Sequence, residues 1–465
     1  MPGCRALTHT LEPWRLDAMN YVYIELLGCA KNQVDAEVML RHLEGTGNWA
    51  YTESPGNADL ILVHTCGFIE SAREESIGAL LELKSAFPRT RIIMTGCLAQ
   101  HYAREISDEL TEADGLFGNR DLSLIAEAAE AAMLGNRPVT VPEEFHEPQV
   151  LRDRLFSYPG SAYVKLSEGC SHHCSYCAIP LIRGELRSRE TRDVADEVRT
   201  LIDRGVKEIN LIAQDLASFG TDQGESRFIP LLETLEGLSG DLSIRMLYIH
   251  PDSFPQELLD LVAQSQKILP YFDIPFQHAS AAVLRSMGRR GDADAYLELI
   301  SSIRQRLPDS VIRSTFMVGF PGEGEEEYEE LLRFVSRAQA DWAGCFIYSR
   351  EEGTPAFGMR GEREHRRMLK QMKARKAALE QLQQEITVRR MENWVGRKLD
   401  VLIEEAIPGE DIAIGRAFLQ APEVDGSTVV LTRDGSPGEK VSCLITRCNG
   451  IDLEAVPLQA SGSTR

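Results

Sequence analysis

Three thiols crowd into the run Glu168-Gly169-Cys170-Ser171-His172-His173-Cys174-Ser175-Tyr176-Cys177 at Cys-x3-Cys-x2-Cys spacing. An iron–sulfur cube held by four cysteines is coordinatively complete and mainly moves electrons. One held by three leaves an iron corner open to a ligand. Two other readings stand beside it, a zinc site and a set of buried thiols. Structural zinc usually pairs two Cys-x2-4-Cys or His-x3-5-His arms, and no second arm of that spacing is present. His172 and His173 read as spacers within the loop.

A second set of thiols is dispersed. Tyr21 to Leu27 is strand-like and runs into Gly28-Cys29, Asp59 to Thr65 into Cys66-Gly67, and Arg91 to Thr95 into Gly96-Cys97. Helical stretches, such as Asp35 to Leu43 and Ser71 to Phe87, lie between them. Alternating β and α units imply a parallel sheet covered by helices, and such sheets bind ligands beyond the carboxyl ends of their strands. All three cysteines fall there, so they can converge on one metal. Each alone could be a small residue filling a tight turn; three equivalent placements favour the shared metal.

These elements sit in a chain of 465 residues carrying 50 basic and 71 acidic side chains, a formal net charge of −21. Such acidity disfavours non-specific adhesion to nucleic acid and favours a basic partner. Apolar residues make up 43%, and no apolar run approaches a membrane span. The first residues lack the apolar block of a signal peptide, so 1–19 reads as an extension with Met1 or Met19 as the start. The chain reads as cytoplasmic, where ten cysteines point to metal or redox chemistry and not to disulfides.

The expected organisation is α/β and multidomain. Residues 20–135 form the parallel α/β domain, 136–156 a linker marked by Pro138, Pro142 and Pro148, and 157–386 a partial (βα)6 barrel. Its strands are expected at 162–166, 208–213, 243–249, 271–274, 311–318 and 344–348. An amphipathic helix follows over 361–393, its basic run a solvated face. A small antiparallel β-barrel occupies 388–458, with strands at 399–403, 412–417, 427–431 and 440–446, and 459–465 is a tail.

In this order the chain resembles the radical S-adenosylmethionine methylthiotransferases. Gly28-Cys29-Ala30-Lys31-Asn32, Thr65-Cys66-Gly67-Phe68-Ile69 and Thr95-Gly96-Cys97-Leu98 match that family's cluster-binding turns, and the final barrel looks like its TRAM domain. The resemblance implies an auxiliary 4Fe–4S cluster on Cys29, Cys66 and Cys97, and a radical-generating one on Cys170, Cys174 and Cys177. It further implies that one S-adenosylmethionine methylates a sulfide on the auxiliary cluster. A second is cleaved at the radical cluster, giving a radical that takes a hydrogen from the substrate, so the two sites must face each other.

One branch of the family modifies tRNA, the other an aspartate β-carbon of small-subunit ribosomal protein S-twelve. The segments 65–72, Asp273-Ile274-Pro275-Phe276-Gln277-His278-Ala279-Ser280 and 344–349, with Gly415-Arg416 and Ala421-Pro422-Glu423-Val424-Asp425-Gly426, resemble the second branch. Its partners would be S-twelve, free or on the small subunit, an electron donor and a sulfur source, with the enzyme a monomer. The barrel's charge leans the same way: over 395–456 six basic residues face eleven acidic ones, whereas an RNA-binding barrel should present positive charge to phosphates.

Further candidates follow. By resemblance Tyr176 lies near the adenine; alternatively it is a core aromatic. Gln214 and Asp215 bind the ribose or methionine part of S-adenosylmethionine, or Asp215 caps a helix. Gly319, Gly322 and Glu323 shape a cofactor pocket; the motif lacks the Gly-Lys-Ser/Thr of a phosphate loop. Arg183, Arg187 and Arg189 could clamp a carboxylate. Cys4, Cys345, Cys443 and Cys448 match no cluster motif. The rival from another class is a non-catalytic iron–sulfur carrier, in which S-adenosylmethionine would leave the reduced cluster's spectrum unchanged.

Overall fold

The computed structural model describes residues 19–146, 152–433 and 435–458. Cys4, the rest of the expected extension and the tail from 459 lie outside them. The chain divides between Arg154 and Leu155 into two compact units.

The first unit is a six-stranded parallel sheet in the order β2-β1-β3-β4-β5-β6. Its strands are β1 (Asn20–Leu26), β2 (Trp49–Tyr51), β3 (Leu60–Thr65), β4 (Arg91–Gly96), β5 (Gly115–Phe117) and β6 (Val139–Thr140). Helices α1 (Ala30–Gly45), α2 (Glu70–Ala86), α3 (Cys97–Glu109) and α4 (Ile125–Met133) cover it. The central strand β3 is wholly buried, as the apolar run Leu60 to Val63 requires of a strand covered on both faces. The expected linker departs from its reading: within it Val139 and Thr140 pair with Leu116 and Phe117 and complete the sheet's edge.

The second unit carries an open six-stranded parallel sheet, β14-β13-β12-β11-β10-β7. These strands are β7 (Ser161–Lys165), β10 (Glu208–Ile212), β11 (Ser243–Leu247), β12 (Ile268–Asp273), β13 (Val311–Val318) and β14 (Trp342–Ile347). A short ribbon, β8 (Ser167–Glu168) with β9 (Arg187–Ser188), brackets the three-cysteine loop. Alternate residues of each strand (Ile209, Leu211; Ile244, Met246; Ile312, Phe316) enter the apolar core beneath the helices. The other face carries Glu208, Arg245, Tyr271 and Arg313, all polar and mostly buried. A long helix, Glu362–Glu392, leads to a closed barrel, β15-β16-β17-β19-β18. It comprises β15 (Lys398–Ala406), β16 (Ala413–Ala417), β17 (Thr428–Val430), β18 (Lys440–Asn449) and β19 (Asp452–Pro457).

That barrel explains the polar face. Arg416 donates to Glu208 Oε1 (2.8 Å) and to Glu404 Oε1 (2.6 Å), while Arg245 donates to Glu208 Oε2 (3.0 Å) and to the Phe418 carbonyl (2.6 Å). Tyr271 donates to Asp425 (2.6 Å), Arg313 lies 3.4 Å from the same carboxylate, and Trp342 Nε1 donates to the Leu419 carbonyl (2.7 Å). The 415–426 segment, read above as a mark of one branch, is thus the plug that seats the barrel on the amino-terminal halves of the core strands.

Burial alone would push the Glu208 carboxyl up; Arg416 and then Arg245 outweigh it and hold the group down to about 2. A carboxyl depressed on folding stabilises above its unfolded value of 4.5, and the contribution is lost as pH falls through about 2. Arg416→Met strands the Glu404 carboxylate and leaves Glu208 with Arg245 alone, and should cost about 3–5 kcal/mol. Calorimetry at neutral pH reads that loss, and the deficit relative to the parent should shrink on acidification from pH 4.5 towards 2. A variant as stable as the parent at neutral pH would show that the barrel is seated by other contacts.

Candidate active site

Each cysteine of the first unit stands where a strand turns into a helix. Cys29 is the N-cap residue of α1, and its carbonyl accepts the first bond of the helix from Gln33 N. Gly28 before it has φ +99°, and a Cβ there would meet Asn32 Nδ2 at 2.7 Å and Cys66 Cβ at 2.9 Å. Only glycine lets the Cys29 and Cys66 turns approach so closely. Asn32, itself buried, ties the turns through donors to the Leu27 and Thr65 carbonyls (2.9 and 3.0 Å). Its Oδ1 lies 4.0 Å from Cys29 Sγ and 3.8 Å from Cys97 Sγ, and Cys97 Sγ also accepts from Asn119 Nδ2 at 3.4 Å. The three dispersed cysteines therefore converge at one end of the sheet.

The second set follows β7 and β8. Gly169 takes φ +73°, and a Cβ there would meet the Glu185 carbonyl oxygen at 2.1 Å. The backbone can turn into Cys170 only through glycine. The loop is pinned along its length: Cys170 N donates to the Gly184 carbonyl, His172 N to Cys170 Sγ, Ser175 N to the Met287 carbonyl and Ser175 Oγ to the Ser286 carbonyl. Burial pushes the Cys177 thiol up to about 12, with Cys174 and Cys170 adding to the rise. A thiol that resists ionisation beside two others suits a cation that converts it to a thiolate. Among the described residues no three His, Cys, Asp or Glu side chains close around a single ion. An iron–sulfur cube, gripped at its corners, takes its ligands farther apart than an ion bound at about 2.3 Å by sulfur.

His172 is more than a spacer. Its Nε2 lies 2.8 Å from Asp215 Oδ2, and its ring stacks on His250 with centroids 4.2 Å apart. Asp215 caps the short 3-10 turn Leu216–Ser218 by accepting from Ala217 N, and also accepts from His250 N and Ser253 Oγ. The capping role is therefore real, and the same carboxylate steadies the cysteine loop. Gln214 is half-buried beside it. Tyr176 packs edge-on against Phe320 within the apolar core while its hydroxyl reaches Arg289. At the next strand ends, Tyr248 and Gln277 hold φ of +70° and +67°, strained conformations that cluster at functional sites.

Other candidates are engaged within the chain. Arg183 donates to Glu168 (2.8 Å), which also accepts from Lys165, and Arg189 donates to Glu197 (2.6 Å). Their guanidinium groups hold the chain's own carboxylates. Glu323 accepts from Gly319 N (2.7 Å) and pairs with Arg375, so it braces the turn containing Gly319 and Gly322. Cys345 and Cys443 are buried, with thiols pushed up by burial to about 12 and about 11. Asn119, Asp215's partner His250, and Arg289 had no motif to announce them; His250 alone had a positional signal, since it directly follows the strand expected at 243–249.

A partial parallel barrel bearing a three-cysteine loop on its first strand end defines a radical S-adenosylmethionine enzyme. Family models agree: Radical SAM superfamily over residues 164–335, Uncharacterized protein family UPF0004 over 21–118 and TRAM domain over 395–458. The chain is 41% identical to the ribosomal protein uS12 methylthiotransferase RimO of Treponema denticola, over 93% of this chain and 100% of that protein. It is 39% identical to the protein of that name from Heliobacterium modesticaldum, over 95% and 96%. Among solved structures, the radical S-adenosylmethionine methyltransferase TsrM from Kitasatospora setae shares the fold at 15% identity and TM-score 0.54, covering 73% of this chain and 77% of that one. The chain belongs to the uS12 methylthiotransferase family and is a radical S-adenosylmethionine methylthiotransferase, a family that works with a 4Fe–4S cluster and S-adenosylmethionine.

Asp215→Ala frees His172 and unlocks the loop while leaving every cysteine in place. Partners of this kind are typically worth about 10–100-fold in metal affinity, so iron should be lost to a chelator correspondingly faster, with circular dichroism unchanged. Parental retention would mean that the backbone bonds alone hold the loop.

Proposed function

We propose that this enzyme replaces a hydrogen on the β-carbon of an aspartate in ribosomal protein uS12 by a methylthio group, in the cytoplasm. Cys170, Cys174 and Cys177 would hold the radical-generating 4Fe–4S cluster, and Cys29, Cys66 and Cys97 an auxiliary one. Two molecules of S-adenosylmethionine would be used, one for its methyl group and one for the radical, with an external electron donor and sulfur source. The observation that carries this reading is the pairing, in one chain, of two glycine-hinged cysteine triads at the carboxyl ends of two parallel sheets. When bound, the cluster and S-adenosylmethionine supply a carbon radical able to take hydrogen from an unactivated C–H bond.

The chain's own groups prepare that chemistry. Three thiolates per site leave one corner of each cube free for a ligand. Asp215, through His172, holds the loop in place, and Gly169 lets it turn. The barrel seals the amino-terminal side of the core and leaves the carboxyl ends for cofactor and substrate.

The barrel's charge supports a protein substrate over RNA. Of its six basic residues, Arg416 pairs with Glu208 and Glu404, Arg397 with Asp309, Arg433 with Asp411, Lys440 with Asp241 and Arg447 with Glu454. Among the described residues that leaves Lys398 to meet a phosphate. A basic ribosomal protein meets no such shortage, since it approaches an acidic enzyme.

The test is an anaerobic assay of the reconstituted enzyme with S-adenosylmethionine and reductant, offered uS12 and tRNA separately and read by mass spectrometry. A methylthio increment on a uS12 aspartate is expected. An increment on tRNA alone would overturn the substrate. Cys170→Ala should abolish 5′-deoxyadenosine formation, whereas Cys66→Ala should still form it without methylthiolated product. Product from Cys66→Ala would remove the auxiliary site from the mechanism.

A further inference from the structure

Arg289 follows the helix Ala281–Ser286 and is only 5% exposed. Its Nη2 donates to the Pro275 carbonyl at 2.7 Å and its Nη1 to the Tyr176 hydroxyl at 3.2 Å. Its Nε is buried without an acceptor. Among the described residues, the deeply buried arginines Arg183, Arg245, Arg416 and Arg375 of this unit each have a carboxylate. No carboxylate among them pairs with Arg289 or with Arg360, which the Gly319 and Phe320 carbonyls hold instead; of these two, Arg289 is the one bonded to the cysteine loop. A guanidinium stays charged in proteins, and a buried charge without a counter-charge is costly.

The negative charge it awaits is adjacent. Tyr176, whose hydroxyl Arg289 grips at 3.2 Å, lies between Cys174 and Cys177 in the loop, and Gly288, the residue before Arg289, abuts the backbone of His173 and Cys174. The chain therefore delivers a positive charge to the cysteine loop on a rigid mount.

We propose that Arg289 is the buried counter-cation of the radical-generating cluster: held by Tyr176 and Pro275 beside Cys174 and Cys177, it raises that cluster's reduction potential. This rests on the reading that Cys170, Cys174 and Cys177 hold the cluster. One-electron reduction makes the cluster and its thiolates more negative by one charge, so a fixed neighbouring cation stabilises the reduced state more than the oxidised one. In a dry site the difference is large. The carboxylate of S-adenosylmethionine is the other anion that could answer Arg289, and the two sources separate experimentally.

The experiment uses the full chain with Cys29, Cys66 and Cys97 replaced by alanine, so that one cluster remains. Its midpoint potential is measured by a redox titration followed by electron paramagnetic resonance, without S-adenosylmethionine. Arg289→Met and Arg289→Gln should each lower the equilibrium constant for reduction tenfold or more, about 59 mV. Arg289→Lys, which keeps the charge, should stay closer to the parent than either. Should Arg289→Met fail to take up iron, the comparison of Gln with Lys decides alone. Unmoved potentials with weakened S-adenosylmethionine binding would overturn the proposal and give Arg289 to the cofactor's carboxylate. A Lys variant displaced as far as the Gln variant would overturn it in favour of hydrogen-bond geometry. A parent chain that assembles no cluster would instead overturn the reading of the site itself.

Discussion

A thiolate can serve a shared metal centre only if the strand that delivers it turns within a residue or so, and the side chain must then point along the sheet's axis instead of across it. That constraint shapes both units. Gly28 before Cys29 and Gly169 before Cys170 sit in the left-handed region with backbone or side-chain atoms where a Cβ would be, and the Gly96–Cys97 step repeats the device with φ +95°. From it follow the parallel sheets, which gather successive strand ends on one side, and the helices that begin at Cys29 and Cys97. Asn32 and Asp215 then play matching parts, each a buried polar group that fastens together turns distant in the chain.

Those turns were legible before any coordinates because the information is local. A strand-like run, a glycine and a cysteine are adjacent in sequence, and the three dispersed turns needed only the rule that parallel strands end on one side. The six core strands and the long helix were legible for the same reason, being long and strongly patterned. The short strands were not. Gly115–Phe117 and Val139–Thr140 offer too few residues for any period to register, and prolines around the second gave it the composition of a linker. The barrel's last strand, Asp452–Pro457, closes a hairpin through Gly450, and only its pairing with Lys440–Asn449 identifies it.

The supporting side chains were less legible still, for a reason of chemistry. His172 lies between two of the loop cysteines, yet its role depends on Asp215 and His250, which other strands supply. Arg183, Arg187 and Arg189 looked available because their carboxylates were unknown; Glu168 and Glu197 take up two of them. Arg289 presents the reverse case. Nothing in its surrounding sequence separates it from a solvated arginine, and only its burial without a carboxylate marks it. Residue type and spacing reveal what can bind a metal, whereas the electrostatic balance around that metal emerges only from the packing.

The barrel's seat bears on how such enzymes can change partners over evolutionary time. A terminal β-barrel on a long helix looks like an exchangeable module, free to be traded for one with another specificity. Here the core has committed Glu208, Arg245, Tyr271 and Arg313 to it, and Arg416 and Asp425 answer from the other side. A foreign barrel lacking those residues would leave charges stranded in the core's interior. Exchange would therefore demand simultaneous change on both sides, and barrel and core are expected to descend together as one inherited piece.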